Sequence, residues 1–436
     1  MNLLQITPGA GKMYCGNCFR DNTLVAALRQ AGHSVTLLPL YLPLTLEEAD
    51  QSAGTPLFYS GVNVYLEQVL PLYRHAPRWV HRLAGSRRVL NWAAGRAAKT
   101  RAADVGELTL SMLRGESGNQ SCELDEMLAW LQTQPRPDVV CLSNSLLLGM
   151  ARNLRSGLHA PIVCQLQNEE AFVDQMPNGL REQVWELMAE SARDVAAFVA
   201  PSRYYASRMQ SRLRIPADRL HVVPNGINPA GFEAASAPQH PPVLGYFSRM
   251  CRDKGLDTLV DAYILLRGRN RMSQLKLRIG GGCGPGDEPL VKELRQRLDA
   301  HGLLGDVDFQ RNLDRADKQR FLASLSVLSV PARFGEAFGF YVIEAMAAGV
   351  PVVQPRCASF PELVEATGGG VCYDPPGASD APALAAALED MLKDPARARA
   401  MGLQGRQVVL DRFTHTAMAR TMAALFEQVS TQPQPF

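Results

Sequence analysis

The chain has 436 residues, with 45 lysines and arginines against 43 aspartates and glutamates, and 46% of its residues are hydrophobic. This balance excludes a disordered or collagen-like chain and a protein that binds nucleic acid through overall basic charge. The length predicts two or three domains of about 150 residues each. The N-terminus lacks a signal-peptide pattern, no apolar run reaches the ~18 residues of a membrane span, and the nine cysteines follow no disulfide pattern. We therefore expect a soluble cytoplasmic enzyme.

Short apolar, β-branched runs alternate with longer helical patterns along the whole chain. In the first half, strands are predicted at residues 3–6, 35–38, 139–142, 162–166, 197–200 and 221–223, and helices at 22–31, 146–154, 179–193 and 203–213. In the second half, strands are predicted at residues 243–247, 275–279, 307–309, 327–330, 352–354 and 371–373, and helices at 256–266, 288–300, 315–324, 340–348 and 378–393. This alternation predicts parallel sheets with helices on both faces.

A proline-rich segment separates the two halves. Residues 224–242 contain five prolines and no periodicity, which indicates a linker. The predicted organisation is a Rossmann-like domain over residues 1–223, this linker, a second such domain over 243–412, and a final helix over 413–430 that crosses back to the N-terminal domain. The predicted fold class is α/β, with two doubly wound domains that face a cleft at the carboxyl ends of their strands, where such sheets bind ligands.

Residues 331–353 carry the most informative motif, in which two glutamates stand eight residues apart with a glycine between them. Glu336 lies in the loop after a predicted strand, and Glu344 lies one turn inside the helix that begins near Gly339. The amino end of a helix presents free N–H groups to a phosphate, and Glu344 could accept hydrogen bonds from a ribose diol. A glutamate in a first turn can also serve only to stabilise the helix dipole, but the complete motif favours a ligand site.

A basic loop follows the first strand of the second half, and a glycine-rich turn follows the first strand of the first half. Arg249 and Lys254 lie in the basic loop, where they could neutralise a diphosphate; a solvated basic loop is the alternative. Gly11 lies in the glycine-rich turn, which allows close backbone approach to a phosphate but does not match a P-loop. Cys15 and Cys18 of this turn have metal-binding spacing, but no second pair accompanies them, and we predict no metal site.

The two motifs of the second half together resemble a known family. The segment that starts at Glu336, EAFGFYVIEAMAAGVP, is similar to the E-x7-E signature of glycosyltransferase family 4, the retaining "group 1" glycosyltransferases with the GT-B fold. The segment that contains Arg249 and Lys254, YFSRMCRDKGLDTL, is similar to the arginine/lysine block of that family. Looser similarities at VVPNGIN and GHSV extend the resemblance over most of the chain.

This resemblance implies a nucleotide-sugar site in the second half. Arg249 and Lys254 would hold the donor diphosphate and stabilise it as it departs, and Glu336 would contact the donor sugar; these three are the implied catalytic residues. The implied donor-binding residues are Glu344 for the ribose, Phe338, Gly339 and Phe340 for the sugar, and Gly11 in the N-terminal turn. The resemblance also implies transfer with retention and no bound metal or other cofactor, with a UDP-sugar favoured as co-substrate.

The N-terminal half departs from the family at a position where a histidine is common. The sequence there reads QLQNEE, and Gln167 takes the place of the histidine. We therefore assign Gln167, Asn168, Glu169 and Glu170 to the acceptor side, where either glutamate could orient the acceptor. A surface glutamate pair at a helix start is the alternative interpretation of these two residues.

Residues 74–103 form a basic stretch with eight lysines and arginines, no acidic residue, and the interleaved Trp79 and Trp92. A basic amphipathic segment with tryptophans is typical of contact with an anionic membrane surface. The same segment could instead bind a phosphorylated or acidic acceptor, or form solvated helices that cover the first sheet.

The function predicted from these features is sugar transfer from a nucleotide-diphosphate-sugar to a hydroxyl of a glycan, glycolipid or small molecule, by a hexosyltransferase-type glycosyltransferase. Two alternatives stay open at this point. One is a non-catalytic GT-B protein that binds nucleotide-sugars or associates with membranes, and the other is a GT-B enzyme of the epimerase or phosphorylase type. We expect a carbohydrate or lipid-linked acceptor and no nucleic-acid partner, with peripheral contact of the basic stretch at the inner face of a membrane as one option.

Overall fold

A computed structural model describes residues 1–9, 16–44, 48–59, 102–234, 239–269, 272–375 and 381–432. The predictions made for Gly11, for Cys15 and for nearly all of the basic stretch at residues 74–103 lie outside the described residues.

The described residues form twelve β-strands and fifteen α-helices. The strands are β1 (Asn2–Thr7), β2 (Ser34–Pro39), β3 (Val139–Leu142), β4 (Ile162–Gln165), β5 (Ala197–Ala200), β6 (Leu220–Val222), β7 (Val243–Phe247), β8 (Lys276–Gly281), β9 (Val307–Arg311), β10 (Val327–Leu328), β11 (Val352–Pro355) and β12 (Gly370–Tyr373). The helices are α1 (Gly16–Gln30), α2 (Ala102–Leu113), α3 (Ser121–Leu131), α4 (Ala151–Leu158), α5 (Glu169–Val173), α6 (Asn178–Ser191), α7 (Arg203–Leu213), α8 (Leu256–Arg267), α9 (Glu288–Ala300), α10 (Arg315–Ala323), α11 (Phe340–Ala347), α12 (Phe360–Thr367), α13 (Ala381–Leu392), α14 (Pro395–Arg412) and α15 (His415–Thr431). Each predicted strand is present, with ends that differ by at most two residues.

The chain divides into two compact units. The first comprises Met1–Pro224 and the chain from Met418 onward, and the second comprises Asn225–Ala417. The first unit contains a six-stranded sheet of order β2-β1-β3-β4-β5-β6, in which all neighbouring strands are parallel. Every residue of β3, β4 and β5 is buried, as expected for parallel strands covered on both faces. The strand order reverses between β1 and β3, and such a reversal opens a crevice at the carboxyl ends of the two strands.

The second unit contains another six-stranded parallel sheet, of order β12-β11-β10-β7-β8-β9. Renumbered from its own first strand, this is the 3-2-1-4-5-6 order of dinucleotide-binding Rossmann domains. The order reverses between β7 and β10. The loop after β7 carries Arg249 and Lys254, and the loop after β10 carries Glu336, so the topology places all three at the one crevice of this sheet where a ligand is expected.

Helix α15 packs into the core of the first unit. Met418, Met422 and Phe426 belong to one buried cluster with Leu24 of α1 and Val139 of β3. The hydroxyl of Thr414 accepts a hydrogen bond from the N–H of Ala417 at 3.2 Å and so caps the start of this helix. The C-terminal helix therefore contributes to the core of the unit in which the chain begins.

The first part of the proline-rich segment is integrated into the second unit. The N–H of Ile227 donates to the carbonyl of Phe413 at 2.9 Å, and the carbonyl of Ile227 accepts from the N–H of His415 at 2.8 Å. Gly226 allows this pairing, since a β-carbon at that position would lie 2.2 Å from the carbonyl oxygen of Thr414. The chain around Ile227 is thus hydrogen-bonded to residues 413–415, where the sequence indicated only a linker.

Helix α14 was not predicted, because two glycines interrupt its helical pattern. Both glycines are contact points. A β-carbon at Gly402 would lie 2.2 Å from the carbonyl oxygen of Gly349, and one at Gly405 would lie 2.7 Å from Cα of Gly369. The intrinsic helix propensity lost at glycine is offset by the close approach of α14 to the backbone of the sheet layer.

We predict that Gly405→Ala destabilises the second unit by about 1–3 kcal/mol, because a methyl group at this site overlaps a backbone atom that cannot move without displacing β12. Chemical denaturation followed by far-UV circular dichroism measures the change in the free energy of unfolding. Gly305→Ala is the matched control, since nothing lies within 4 Å of the added β-carbon in the same unit. Equal stability of the two variants would contradict the packing described for α14.

Candidate functional site

In the second unit, the loops after β7 and β10 contact each other directly at Gly255. This glycine has φ of 69°, and a β-carbon would lie 1.9 Å from the carbonyl oxygen of Pro331. No side chain other than hydrogen fits there without a shift of the backbone. The contact brings the end of one loop, Lys254, beside the loop that carries Glu336.

Lys254 and Glu336 form an ion pair across these two loops. The ammonium group of Lys254 lies 2.5 Å from Oε1 of Glu336, and the hydroxyl of Tyr341 donates to the same oxygen at 3.2 Å. The side chains are 27% and 11% exposed, so the pair is shielded but reachable from solvent. Burial, followed by the charge of Glu336, raises the pKa of Tyr341 well above its usual value, which keeps its hydroxyl a donor. Two of the three predicted catalytic side chains therefore meet in one place.

Arg249 lies in the same loop as Lys254 and is held by a carboxylate of its own. Its Nη2 lies 3.0 Å from Oδ1 of Asp287, and this contact is the main cause that raises the pKa of the guanidinium. Asp287 is buried and also accepts from the N–H of Gly284 at 3.0 Å. The Arg249 side chain itself is 65% exposed. It is thus oriented from behind while its charge faces solvent, which suits an anion that arrives from outside.

The first turn of α11 lies beside the ion pair of Lys254 and Glu336, because Tyr341 of this turn donates to Glu336. Gly339 precedes the helix with φ of 95°, a conformation that favours glycine, and the first N–H groups of a helix have no intrahelical acceptor. Phe338 is buried, and its ring packs 5.7 Å from the ring of Phe340. The carbonyl of Phe338 accepts from the hydroxyl of Ser359 at 2.9 Å. The side chain of Phe338 therefore supports the loop, and its backbone is what a ligand could contact.

Glu344 lies on α11 and pairs with a lysine that the sequence analysis did not single out. The ammonium group of Lys318, on α10, donates to Oε1 of Glu344 at 2.8 Å. The side chains of Lys318 and Glu344 are 3% and 10% exposed, respectively. A pair buried to this degree holds each partner in place, because removal of either leaves an uncompensated charge.

In the first unit, Gln167 is oriented by a buried arginine. Nη1 of Arg20 donates to Oε1 of Gln167 at 2.5 Å, and Nη2 donates to the carbonyl of Ser143 at 2.6 Å. Arg20 is neutralised by Asp21, with 2.7 Å between Nη2 and Oδ1, and both residues are buried. Because its carbonyl oxygen is bound to Arg20, the Gln167 side chain offers its NH₂ group to any ligand.

Glu169 is buried and does not form the surface pair that was the alternative interpretation. Its carboxylate accepts from the N–H of Ser145 at 2.9 Å, from the N–H of Gln167 at 2.7 Å and from the hydroxyl of Tyr205 at 2.6 Å. These bonds fix the loop after β4, in which Asn168 has φ of 61°. Glu169 therefore holds Gln167 and Asn168 in place, and its oxygens are already engaged.

Glu170 shares the hydroxyl of Tyr205, at 2.6 Å, and lies 3.4 Å from the guanidinium of Arg208. Burial raises the pKa of Glu170, and burial together with the two glutamates raises the pKa of Tyr205 well above its usual value. Tyr205 thus stays protonated and bridges the two carboxylates. Of the four residues assigned to the acceptor side, Glu169 and Glu170 therefore have carboxylates that are engaged by Tyr205.

Four supporting residues escaped the sequence analysis: Arg20, Tyr205, Asp287 and Lys318. Each lies far along the chain from its partner; Lys318 and Glu344, for example, are 26 residues apart. The sequence could have indicated that Asp287 lies near Arg249, because Asp287 ends the glycine-rich turn after β8, and β8 is the neighbour of β7 in the sheet. No sequence pattern indicated a supporting role for Arg20 or Lys318, because a charged residue in a helical pattern is normally predicted to face solvent.

Among the residues that the structure describes, no helix combines the length and apolar character that a membrane crossing requires. Within the same ranges, no cluster of three His, Cys, Asp or Glu side chains has the proximity needed to hold a metal ion.

Two family models match the chain, one in each unit. A model described as "Glycosyl transferases group 1" matches residues 230–408, and one described as "Glycosyl transferase 4-like domain" matches residues 22–226. The chain is also 31% identical over 248 residues to a GDP-mannose-dependent alpha-(1-6)-phosphatidylinositol monomannoside mannosyltransferase from Mycolicibacterium smegmatis. That alignment covers 53% of this chain and 62% of the relative, so less than two thirds of the relative is matched.

Solved structures with the same fold include two that match nearly the whole chain. A sucrose-phosphate synthase from Thermosynechococcus elongatus superposes with a TM-score of 0.68 at 19% identity and covers 98% of both chains. The Anabaena protein HepE in complex with UDP superposes with a TM-score of 0.67 at 17% identity and covers 98% of this chain and all of the other. These structural matches confirm the predicted α/β, GT-B fold class. The two family models, over residues 22–226 and 230–408, confirm the predicted family. The chain belongs to the group 1 glycosyltransferases of glycosyltransferase family 4.

Proposed function

We propose that the protein is a retaining glycosyltransferase that moves a sugar from a nucleotide-diphosphate-sugar to a hydroxyl of a carbohydrate or lipid-linked acceptor. One observation carries the proposal. Two cations, Arg249 and Lys254, are held by carboxylates at the crevice of the second sheet, next to the amino end of α11. This arrangement concentrates positive charge at the place where a Rossmann sheet binds a nucleotide.

The donor diphosphate would replace Glu336 as the partner of Lys254, and it would also bind Arg249, which Asp287 continues to hold. Arg249 offers a planar fork and Lys254 a point charge, and the N–H groups of α11 add partial positive charge. As Lys254 turns to the diphosphate, Glu336 loses its counterion and becomes free to accept hydrogen bonds from hydroxyls of the donor sugar. The two residues of this ion pair would thus each contact the donor, Lys254 at the diphosphate and Glu336 at the sugar.

The reaction needs stabilisation of negative charge on the leaving group. As the bond between the anomeric carbon and the diphosphate oxygen breaks, charge develops on the diphosphate, next to Arg249 and Lys254. The acceptor oxygen bonds to the anomeric carbon on the same face, so the configuration is retained, and its proton passes to the departing diphosphate. Because protein cations and a helix amino end offset the charge, the proposal requires no bound metal or other cofactor.

The base of the donor nucleotide could be a pyrimidine, as in UDP, or a purine, as in GDP. HepE was solved with UDP, and the mycobacterial relative is named for GDP-mannose. We favour a UDP-sugar, and a thermal-shift panel of UDP, GDP, ADP and their sugars distinguishes these, since a ligand selective for the folded state raises its stability. Contact of the basic stretch with an anionic membrane stays a prediction, and sedimentation with anionic and with neutral vesicles tests it.

We predict that Arg249→Ala and Lys254→Ala each weaken binding of the preferred nucleoside diphosphate by about 1.5–3 kcal/mol, the range of hydrogen bonds to charged groups. The smaller loss is expected for Arg249, because its side chain is 65% exposed and solvent screens its charge. Isothermal titration calorimetry measures the change. Arg252→Ala is the control from the same loop, since Arg252 pairs with Asp257 and Glu293. Wild-type affinity in both site variants would place the diphosphate elsewhere.

We predict that Glu336→Gln lowers turnover of the donor sugar by about 10²–10³-fold, as for loss of one preorganised charged contact. The variant should bind the free diphosphate at least as tightly as the wild type, because Lys254 no longer has a competing carboxylate. Release of nucleoside diphosphate from the sugar nucleotide measures turnover, and Glu365→Gln, exposed in the same unit, is the control. Undiminished turnover would show that Glu336 has no part in the chemistry. A wild-type protein that binds nucleotide-sugars but turns none over would favour the non-catalytic alternative.

On the acceptor side, we predict that Gln167→Ala slows transfer about tenfold, the effect of one hydrogen bond, and leaves nucleoside diphosphate affinity unchanged. The reason is that Gln167 lies in the first unit and presents donors fixed by Arg20. Transfer rates and calorimetry on the same preparations separate the two effects. Gln175→Ala, an exposed glutamine of the same unit, should behave as wild type. An unchanged transfer rate in the Gln167 variant would remove this residue from the acceptor site.

A further inference from the structure

The ion pair of Lys318 and Glu344 is unusual in its burial. The two whole residues are 2% and 7% exposed, and their partner atoms lie 2.8 Å apart. Taking two charges out of water costs several kcal/mol, and replacement of such a pair by apolar residues is often neutral or stabilising. Stability alone therefore gives little reason for a lysine at this point of α10, whose other buried side chains include Phe321 and Leu322.

The geometry of the pair is asymmetric. Lys318 approaches from the interior and is 3% exposed at its side chain, whereas the side chain of Glu344 retains 10% exposure. Lys318 binds Oε1, so one carboxylate oxygen is fixed from behind and the carboxylate plane is set by that bond. A ligand that reaches Glu344 therefore meets a carboxylate whose orientation is set by its charge-assisted hydrogen bond to Lys318.

We propose that Lys318 is a positioning residue for ribose recognition: by holding Glu344 in one orientation, it makes the site select ribonucleotides over their deoxy counterparts. The proposal rests on the proposed function, in which Glu344 accepts hydrogen bonds from the ribose hydroxyls. An ionised carboxylate accepts stronger hydrogen bonds than a neutral group, and two adjacent hydroxyls need both of its oxygens in a defined plane. Lys318 touches no ligand; it acts through Glu344.

A purely structural role for Lys318 would have a different signature. Loss of the lysine would then lower the melting temperature and leave the choice between ribose and deoxyribose as it was. A positioning role predicts that the preference itself falls, while contacts to the diphosphate, made by Arg249 and Lys254, persist. The ratio of two affinities measured on one variant separates the roles, because a general loss of folded protein cancels in the ratio.

The test uses the full chain and four probes: UDP, GDP and the 2′,3′-dideoxy form of each. Calorimetry on the wild type should show at least a tenfold preference for the ribose form of the nucleotide it binds. In Lys318→Met we expect this preference to fall below about threefold, with affinity for the dideoxy form within twofold of wild type. Lys318→Gln, which keeps a polar side chain and removes the charge, should show the same fall and provides the answer if the methionine variant does not fold.

Two further variants sharpen the result. Lys276→Met removes a lysine that pairs with Asp306 outside the site and should keep the wild-type preference. Glu344→Gln should lose the preference, and adding Lys318→Met to it should cause no further loss, because both act on one contact. A folded Lys318 variant with wild-type preference would overturn the proposal. A wild type that prefers the ribose form by less than twofold would overturn it as well, whereas a wild type that binds none of the probes would overturn the proposed function itself.

Discussion

Among the described glycines of the second unit, Gly255 has the tightest backbone contact: a β-carbon there would be only 1.9 Å from the carbonyl oxygen of Pro331. It joins the two loops that leave the sheet at the reversal of strand order. The pairing of Lys254 with Glu336 depends on that contact, since the lysine is the residue immediately before the glycine. Because the sheet determines where the loops begin and Gly255 determines how close they come, the charges of the site are placed by backbone rather than by flexible side chains.

In both units, polar side chains assigned to the site are held by buried charged residues. Lys318 holds Glu344, Asp287 holds Arg249, and Arg20 holds Gln167. Groups oriented in advance lose less freedom when a ligand arrives and need no rearrangement as charge develops during a reaction. Through these contacts, the packing of α10 determines the orientation of Glu344, and the packing of α1 determines that of Gln167.

The strands could be predicted from the sequence because buried parallel strands appear as short continuous apolar runs, such as Val139–Leu142. The positions of the motif residues Arg249, Lys254, Glu336 and Glu344 in the fold could be predicted, because each lies in a loop after a predicted strand or one turn inside the helix that follows. Helix α14 could not, since Gly402 and Gly405 read as helix breakers until their partners Gly349 and Gly369 are known. Lys318 and the engaged carboxylate of Glu169 depend on partners distant in sequence, which a local pattern cannot reveal.

The central claim is that Arg249, Lys254, Glu344 and the amino end of α11 bind one nucleoside diphosphate. A crystal structure of the protein with UDP, and one with GDP, tests this most directly. We predict that one of them shows the diphosphate within hydrogen-bond distance of Arg249 and Lys254, the ribose hydroxyls on Glu344, and Lys254 turned away from Glu336. A nucleotide bound away from these residues, with the ion pair of Lys254 and Glu336 intact, would contradict the account.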